Sequence, residues 1–126
     1  MIAAHPTTAT LLIVEDNAAT RTAMAAILGR HGYAVRVAAN GQAALGMLDA
    51  RPAPDLILLD MLMPELDGWH FLDWFQGPAG GAVPVVVMTG TILTREWAAT
   101  HGCAGFLKKP FDAAQLVAEV RRVLSD

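Results

Sequence analysis

Three unbroken apolar runs, Leu11–Val14, Leu56–Leu59 and Val85–Met88, constrain this chain more than any other feature. A strand with one wet face alternates apolar and polar residues, whereas a strand of a parallel sheet, covered on both faces, reads as continuous Leu, Ile and Val. Helical periods lie between the runs. Asn17 caps a helix through about Arg30, whose inward face repeats as Thr20, Ala23, Met24, Ile27 and Leu28, and Gly32 marks its end region. Tyr33–Ala38 reads as a strand, followed by Asn40-Gly41 and a helix with Ala44, Leu45 and Leu48 inward, which Pro52 and Pro54 bar from continuing. The strand from Asp55 to Leu59 ends at Asp60, and a third helix presents Trp69, Phe71, Leu72 and Phe75. After Gly77-Pro78-Ala79-Gly80-Gly81 come the Val85–Met88 strand, a short helix around Arg95–Thr100 and a brief strand Gly105–Lys108. Asp112 caps a last helix with Leu116, Val117, Val120, Val123 and Leu124 on one side.

Strand and helix thus alternate five times, with connections too long for hairpins. Right-handed crossovers then give an α/β fold, a doubly wound five-stranded parallel sheet with five helices on its two faces. With 126 residues and 54% hydrophobic content there is material for one compact domain. Residues 1–10 are expected to be a flexible lead, and residues 11–126 the domain.

Charge and composition narrow the function. The formal charge is -3, and the nine Lys and Arg are scattered apart from Lys108-Lys109 and Arg121-Arg122, which disfavours direct nucleic-acid binding. Cys103 is the single cysteine, so a disulfide framework is excluded and a reducing, cytoplasmic setting is expected. No apolar run approaches the length of a membrane span. His5, His31, His70 and His101 lack mutual ligand spacing, and Trp69, Trp74 and Trp97 are expected to pack helices.

The chemistry sits where the apolar runs stop. Glu15 and Asp16 follow the first run and Asp60 follows the third strand, at the C-terminal edge where open α/β sheets place ligand sites. Three carboxylates brought together there repel one another unless a cation lies between them. Thr89 and Lys109 reach the same edge from the fourth and fifth strands. A hard divalent ion such as Mg²⁺ suits carboxylate and water oxygens. A carboxylate can attack phosphorus once metal and lysine offset the accumulating charge. The Thr89 hydroxyl adds a donor for a phosphoryl oxygen.

Four segments carry a resemblance that covers about Thr10–Asp126: Leu12-Ile13-Val14-Glu15-Asp16-Asn17; Leu58-Leu59-Asp60-Met61-Leu62-Met63-Pro64 with Asp67-Gly68; Val87-Met88-Thr89-Gly90; and Gly105-Phe106-Leu107-Lys108-Lys109-Pro110-Phe111. In these the chain resembles the receiver domain of two-component response regulators, including the single-domain chemotaxis regulators. The resemblance implies a flavodoxin-like sheet of order 2-1-3-4-5, an order taken from the family and not from spacing. It implies Asp60 as phosphoacceptor, Glu15 and Asp16 as the metal-binding acid pair, the Leu62 main-chain carbonyl as a further Mg²⁺ ligand, and Lys109 as the functional lysine. Thr89 and Phe106 fall on the switch positions, and the Lys109–Pro110 bond is expected to be cis. A partner histidine kinase or phosphotransferase supplies the phosphoryl group, and a downstream protein reads the altered face. On this reading the chain is not an enzyme, since it catalyses only its own phosphorylation and dephosphorylation.

Two departures from the family pattern stand out. The segment from Thr89 to Lys109 is about two residues shorter than the usual pattern, so a short helix is expected there. Leu62, two after the acceptor, and Thr91, two after Thr89, provide neither an acid nor an amide to orient an attacking water. Slow self-dephosphorylation is the expectation.

Other classes fit the residues less well. An aspartate-nucleophile phosphatase of the haloacid dehalogenase type wants a second Asp where Leu62 stands, and a flavodoxin-like cofactor binder wants a phosphate cradle where Glu15 and Asp16 would repel phosphate. The alternatives that keep the resemblance are a receiver fragment of a larger regulator or hybrid kinase, and a receiver used only as an unphosphorylated interaction module.

Overall fold

The structure is a computed structural model and describes residues 8–47, 53–61, 83–90 and 93–125. Its elements are β1 (Thr10–Val14), α1 (Ala18–Arg30), β2 (Ala34–Ala38), α2 (Gly41–Met47), β3 (Leu56–Asp60), β4 (Val85–Thr89), α3 (Arg95–Thr100), β5 (Gly105–Lys108) and α4 (Ala113–Ser125). The helix anticipated around Trp69–Phe75 lies outside the described residues, so the labels number the described helices alone.

All five strands are parallel, in the order β2-β1-β3-β4-β5. The three apolar runs form the central strands β1, β3 and β4, and every residue of those strands is buried. Because side chains alternate across a strand, each run feeds two cores. Leu12, Val14, Ile57, Leu59, Val85 and Val87 pack on the face covered by α2 and α3, with Ala44, Ala98 and Phe106. Leu11, Ile13, Leu56, Leu58, Val86 and Met88 pack on the opposite face, against Met24 and Leu28 of α1 and Leu116, Val120 and Val123 of α4. At one edge, β2 is half exposed, and its Val37 is the large apolar side chain left open to solvent among the described residues.

Side chains fix the helix starts. The Asn17 Oδ1 accepts from the Thr20 amide at 2.8 Å, and the Asn40 Oδ1 accepts from the Ala43 amide at 2.7 Å. Asp112 and Gln115 cap α4 reciprocally, each side chain accepting from the other's amide at 2.8 Å. The hydroxyl of Thr94 accepts from the Trp97 amide and opens α3, which has six residues, in keeping with the shortened segment. Past α1, Gly32 takes φ 92°, the left-handed conformation that ends a helix without a Cβ clash.

One expected core position differs. Ala23 is exposed, while Met24 and Leu28 are buried and Thr20 and Ile27 are intermediate. The helix leans on the sheet through its two large side chains, and Ala23, one position around from Met24, falls beyond that contact line.

Candidate functional site

Parallel pairing brings the predicted acids together. β1 lies directly beside β3, so the residues leaving their C-terminal ends emerge side by side. Glu15, Asp16 and Asp60 offer carboxylate oxygens that all lie within 4.8 Å of one another. Glu15 is fully buried, Asp60 is 4% exposed and Asp16 is open to solvent. A buried carboxylate needs partners to compensate for lost hydration, and Glu15 has two. Its Oε1 accepts from Lys109 Nζ at 2.7 Å, and its Oε2 accepts from the Asn17 amide at 3.2 Å.

Lys109 reaches the acids from the turn after β5. Its ammonium lies 3.5 Å from Asp60 Oδ2 while bonded to Glu15. Partial burial opposes its charge, but the Glu15 hydrogen bond and the Asp60 and Glu15 charges prevail and raise its pKa above the ordinary lysine value. The strand ladder sets its position: the Lys109 amide donates to the Thr89 carbonyl at 2.8 Å, and the Met61 amide donates to the Met88 carbonyl at 3.1 Å. Thr89, at the end of β4, is 1% exposed, and Phe106 in β5 is 8% exposed. The Lys109–Pro110 peptide bond is cis. Leu62, expected to offer its carbonyl, lies outside the described residues.

Two contributors escaped the sequence reading. Arg21, one turn into α1, donates from Nη1 to the Glu15 carbonyl at 2.8 Å and pins the turn that carries the acid pair. Its helical offset from Asn17, which puts it on the first turn beside the strand end, is the signal that could have found it. Glu119 of α4 is 7% exposed, inside the stripe of Leu116, Val120 and Val123. Burial alone would raise its pKa, but hydrogen bonds from Arg122, Arg95 and the Phe106 amide, with the Arg95 charge, lower it from 4.5 to about 2. An acid in register with an apolar stripe was its signal.

The donor set fits a hard divalent cation. Three carboxylates converge, two of them buried and one open to water, and the Lys109 ammonium offsets part of their charge. Mg²⁺ takes such oxygens and keeps several waters. By contrast, burial pushes the Cys103 thiol up to about 11, which leaves it protonated and a poor nucleophile at neutral pH.

The response regulator receiver domain family model matches residues 11–121. The chain belongs to the response regulator receiver domains. Among its relatives, the response regulator MprA of Mycobacterium tuberculosis is 34% identical over 116 residues, 90% of this chain and 50% of MprA. The DNA-binding transcriptional regulator NtrC of Rhizobium meliloti is 34% identical over 122 residues, 95% of this chain and 25% of NtrC. The chemotaxis response regulator CheY4 of Vibrio cholerae superposes with a TM-score of 0.82 at 28% identity, covering 93% of this chain and 99% of that one. The chain therefore spans about half the length of the MprA relatives. Receiver domains are signalling modules of phosphorelays that work with histidine kinases and downstream effectors, and they bind Mg²⁺ at an acidic pocket. In this chain Glu15, Asp16 and Asp60 form an acidic cluster. Among the described residues, no helix is long and apolar enough to cross a membrane.

Proposed function

We propose that this receiver domain, residues 11–126, accepts a phosphoryl group on Asp60 from a histidine of a partner kinase or phosphotransferase, in the cytoplasm, and thereby switches a protein-binding face. The observation that carries the assignment is the position of Asp60: a buried carboxylate at the end of β3, with a lysine 3.5 Å away and two further acids within 4.8 Å. Glu15, Asp16, Asp60 and the Leu62 carbonyl would hold Mg²⁺. The bound ion supplies charge neutralisation for the incoming phosphoryl oxygens.

A carboxylate oxygen of Asp60 attacks phosphorus. The phosphorus–nitrogen bond to the donor histidine breaks as the new phosphorus–oxygen bond forms, and the donor ring, already protonated on its other nitrogen, leaves as neutral imidazole. Lys109, already against Glu15 and Asp60, offers its ammonium to a phosphoryl oxygen, and Thr89 donates its hydroxyl to another. Drawn toward the phosphoryl group, Thr89 vacates space near the β4 end, and the Phe106 ring answers within the core it shares with Val87 and Ala98. That movement alters the surface of α3, β5 and α4 for a downstream protein. The length of the relatives supports a role as the receiver part of a larger regulator as readily as one in a stand-alone receiver.

Incubation with acetyl phosphate and Mg²⁺, read by intact mass, tests the assignment. One added phosphoryl group on the wild type and none on Asp60→Asn is the expected result. No addition to the wild type, or equal addition to both, removes Asp60 as the acceptor.

A further inference from the structure

Among the described residues β5 is an edge strand, hydrogen-bonded to β4 on one side only. On its open side, charged side chains take the main-chain groups that a further strand would otherwise pair. Glu119 Oε2 accepts from the buried Phe106 amide at 2.8 Å, and Arg95 Nη2 donates to the Phe106 carbonyl at 3.2 Å. Arg122 Nη2 donates to the Ala104 carbonyl at 3.0 Å. Both arginines close back on the same carboxylate oxygen, Arg95 at 2.9 Å and Arg122 at 3.0 Å. The Arg95 guanidinium carbon also lies 6.0 Å from the centre of the Phe106 ring.

Phe106 is thus gripped at its amide, its carbonyl and its ring by residues of α3 and α4. Arg95 opens the helix that follows Thr89 along the chain, so the same contacts anchor the far end of that connection. A side chain that must shift onto a ligand loses less conformational freedom when the other end of its connection is already fixed.

We propose that Glu119 is a positioning residue for the phosphoryl switch: by bridging Arg95, Arg122 and the Phe106 amide it holds α3, β5 and α4 in the arrangement that Thr89 and Phe106 require when Asp60 carries the phosphoryl group. This inference rests on Asp60 as acceptor and adds a residue remote from the reacting atoms. The bridge sets how readily the domain accepts the group without touching it.

The test combines amide hydrogen exchange with acetyl phosphate labelling of wild type, Glu119→Ala and Glu119→Gln in Mg²⁺. In Glu119→Ala, exchange at the Phe106 amide quickens while the Lys109 amide, bonded to the Thr89 carbonyl, keeps its protection. Labelling slows by about fivefold or more, the lower range of allosteric couplings, with calorimetric Mg²⁺ affinity unchanged. Glu119→Gln, which keeps an acceptor for the amide but not the charge that holds the arginines, falls between. Should Glu119→Ala fail to fold, Glu119→Gln and Arg95→Gln carry the comparison. Unchanged or faster labelling in folded variants overturns the inference and leaves Asp60 standing, as does slowing that a loss of Mg²⁺ affinity accounts for. No labelling of the wild type removes the acceptor assignment and the inference with it.

Discussion

The Lys109 ammonium sits 2.7 Å from Glu15 Oε1 and 3.5 Å from Asp60 Oδ2, so one cation from the turn after β5 bridges an acid just past β1 and the acid that ends β3. Its raised pKa keeps it charged well into alkaline solution. The stabilisation is fully present below the unfolded lysine value of 10.5 and is lost only as pH rises through the higher folded value. Acetyl phosphate labelling of Asp60 should therefore show no loss assignable to Lys109 across the neutral and mildly alkaline range. Lys109→Ala should lower the labelling rate by about a hundredfold, the scale of losing one oriented donor to a developing phosphoryl charge. A fall of less than about threefold would assign Lys109 to structure alone.

Asp16 is the exposed member of the acid cluster, and its exchange for Asn disturbs little packing. Asp16→Asn should weaken Mg²⁺ binding at least about tenfold, a cost near 1.4 kcal/mol, while thermal unfolding in EDTA stays within a few degrees of wild type. Chelation of Mg²⁺ should stop labelling of the wild type. Calorimetric titration and intact mass read both results.

At Gly105 an added Cβ would meet Glu119 Oε2 at 2.7 Å, Val86 Cγ2 at 3.0 Å and Val123 Cγ2 at 3.1 Å. The Glu119 carboxylate cannot swing aside without releasing Arg95, Arg122 and the Phe106 amide. Gly105→Ala should destabilise the fold by about 1–3 kcal/mol, the usual range for overpacking. Urea unfolding measures it, and a change under about 0.5 kcal/mol would show that the strand end yields freely.

Acid should expose the worth of Glu119. Its folded pKa of about 2 lies below the ordinary 4.5, so its stabilisation is present above the higher value and fades as pH falls toward the lower. Wild type should exceed Glu119→Gln in stability by on the order of 1–3 kcal/mol at neutral pH, a range that allows for solvent around the two half-exposed arginines. The gap should narrow between pH 4.5 and about 2. A gap independent of pH would assign the difference to packing.

Slow loss of the phosphoryl group is expected from Leu62, which cannot orient water toward phosphorus. Leu62→Asn should quicken the decay of purified phosphoprotein by about tenfold, short of the roughly hundredfold or more of a true general base, because an amide orients water without taking its proton. Decay of the wild type within seconds, unaltered in the variant, would place water positioning elsewhere.

The strand ends were legible because burial and chemistry conflict there: Leu-Leu-Ile-Val ahead of Glu15 and Leu-Ile-Leu-Leu ahead of Asp60 leave acids no packing role. Strand order came from the family likeness, since alternation fixes parallel crossovers but not which strands are neighbours. Ala23 was placed inward by period alone, which ignores how far a methyl reaches. Glu119 was passed over for a different reason. Lone acids beside an apolar stripe are usually solvated, and its partners Arg95 and Phe106 come from other elements that only the folded chain brings near.

The hydrogen bond from the Lys109 amide to the Thr89 carbonyl joins the ends of β4 and β5 beside Asp60, which the Lys109 ammonium approaches to 3.5 Å. The separation of the two main chains there is consequently a property of the peptide backbone. Sequences can drift through the surrounding loops and helix lengths, as the six-residue α3 does here, while the gauge between the two strand ends stays constant.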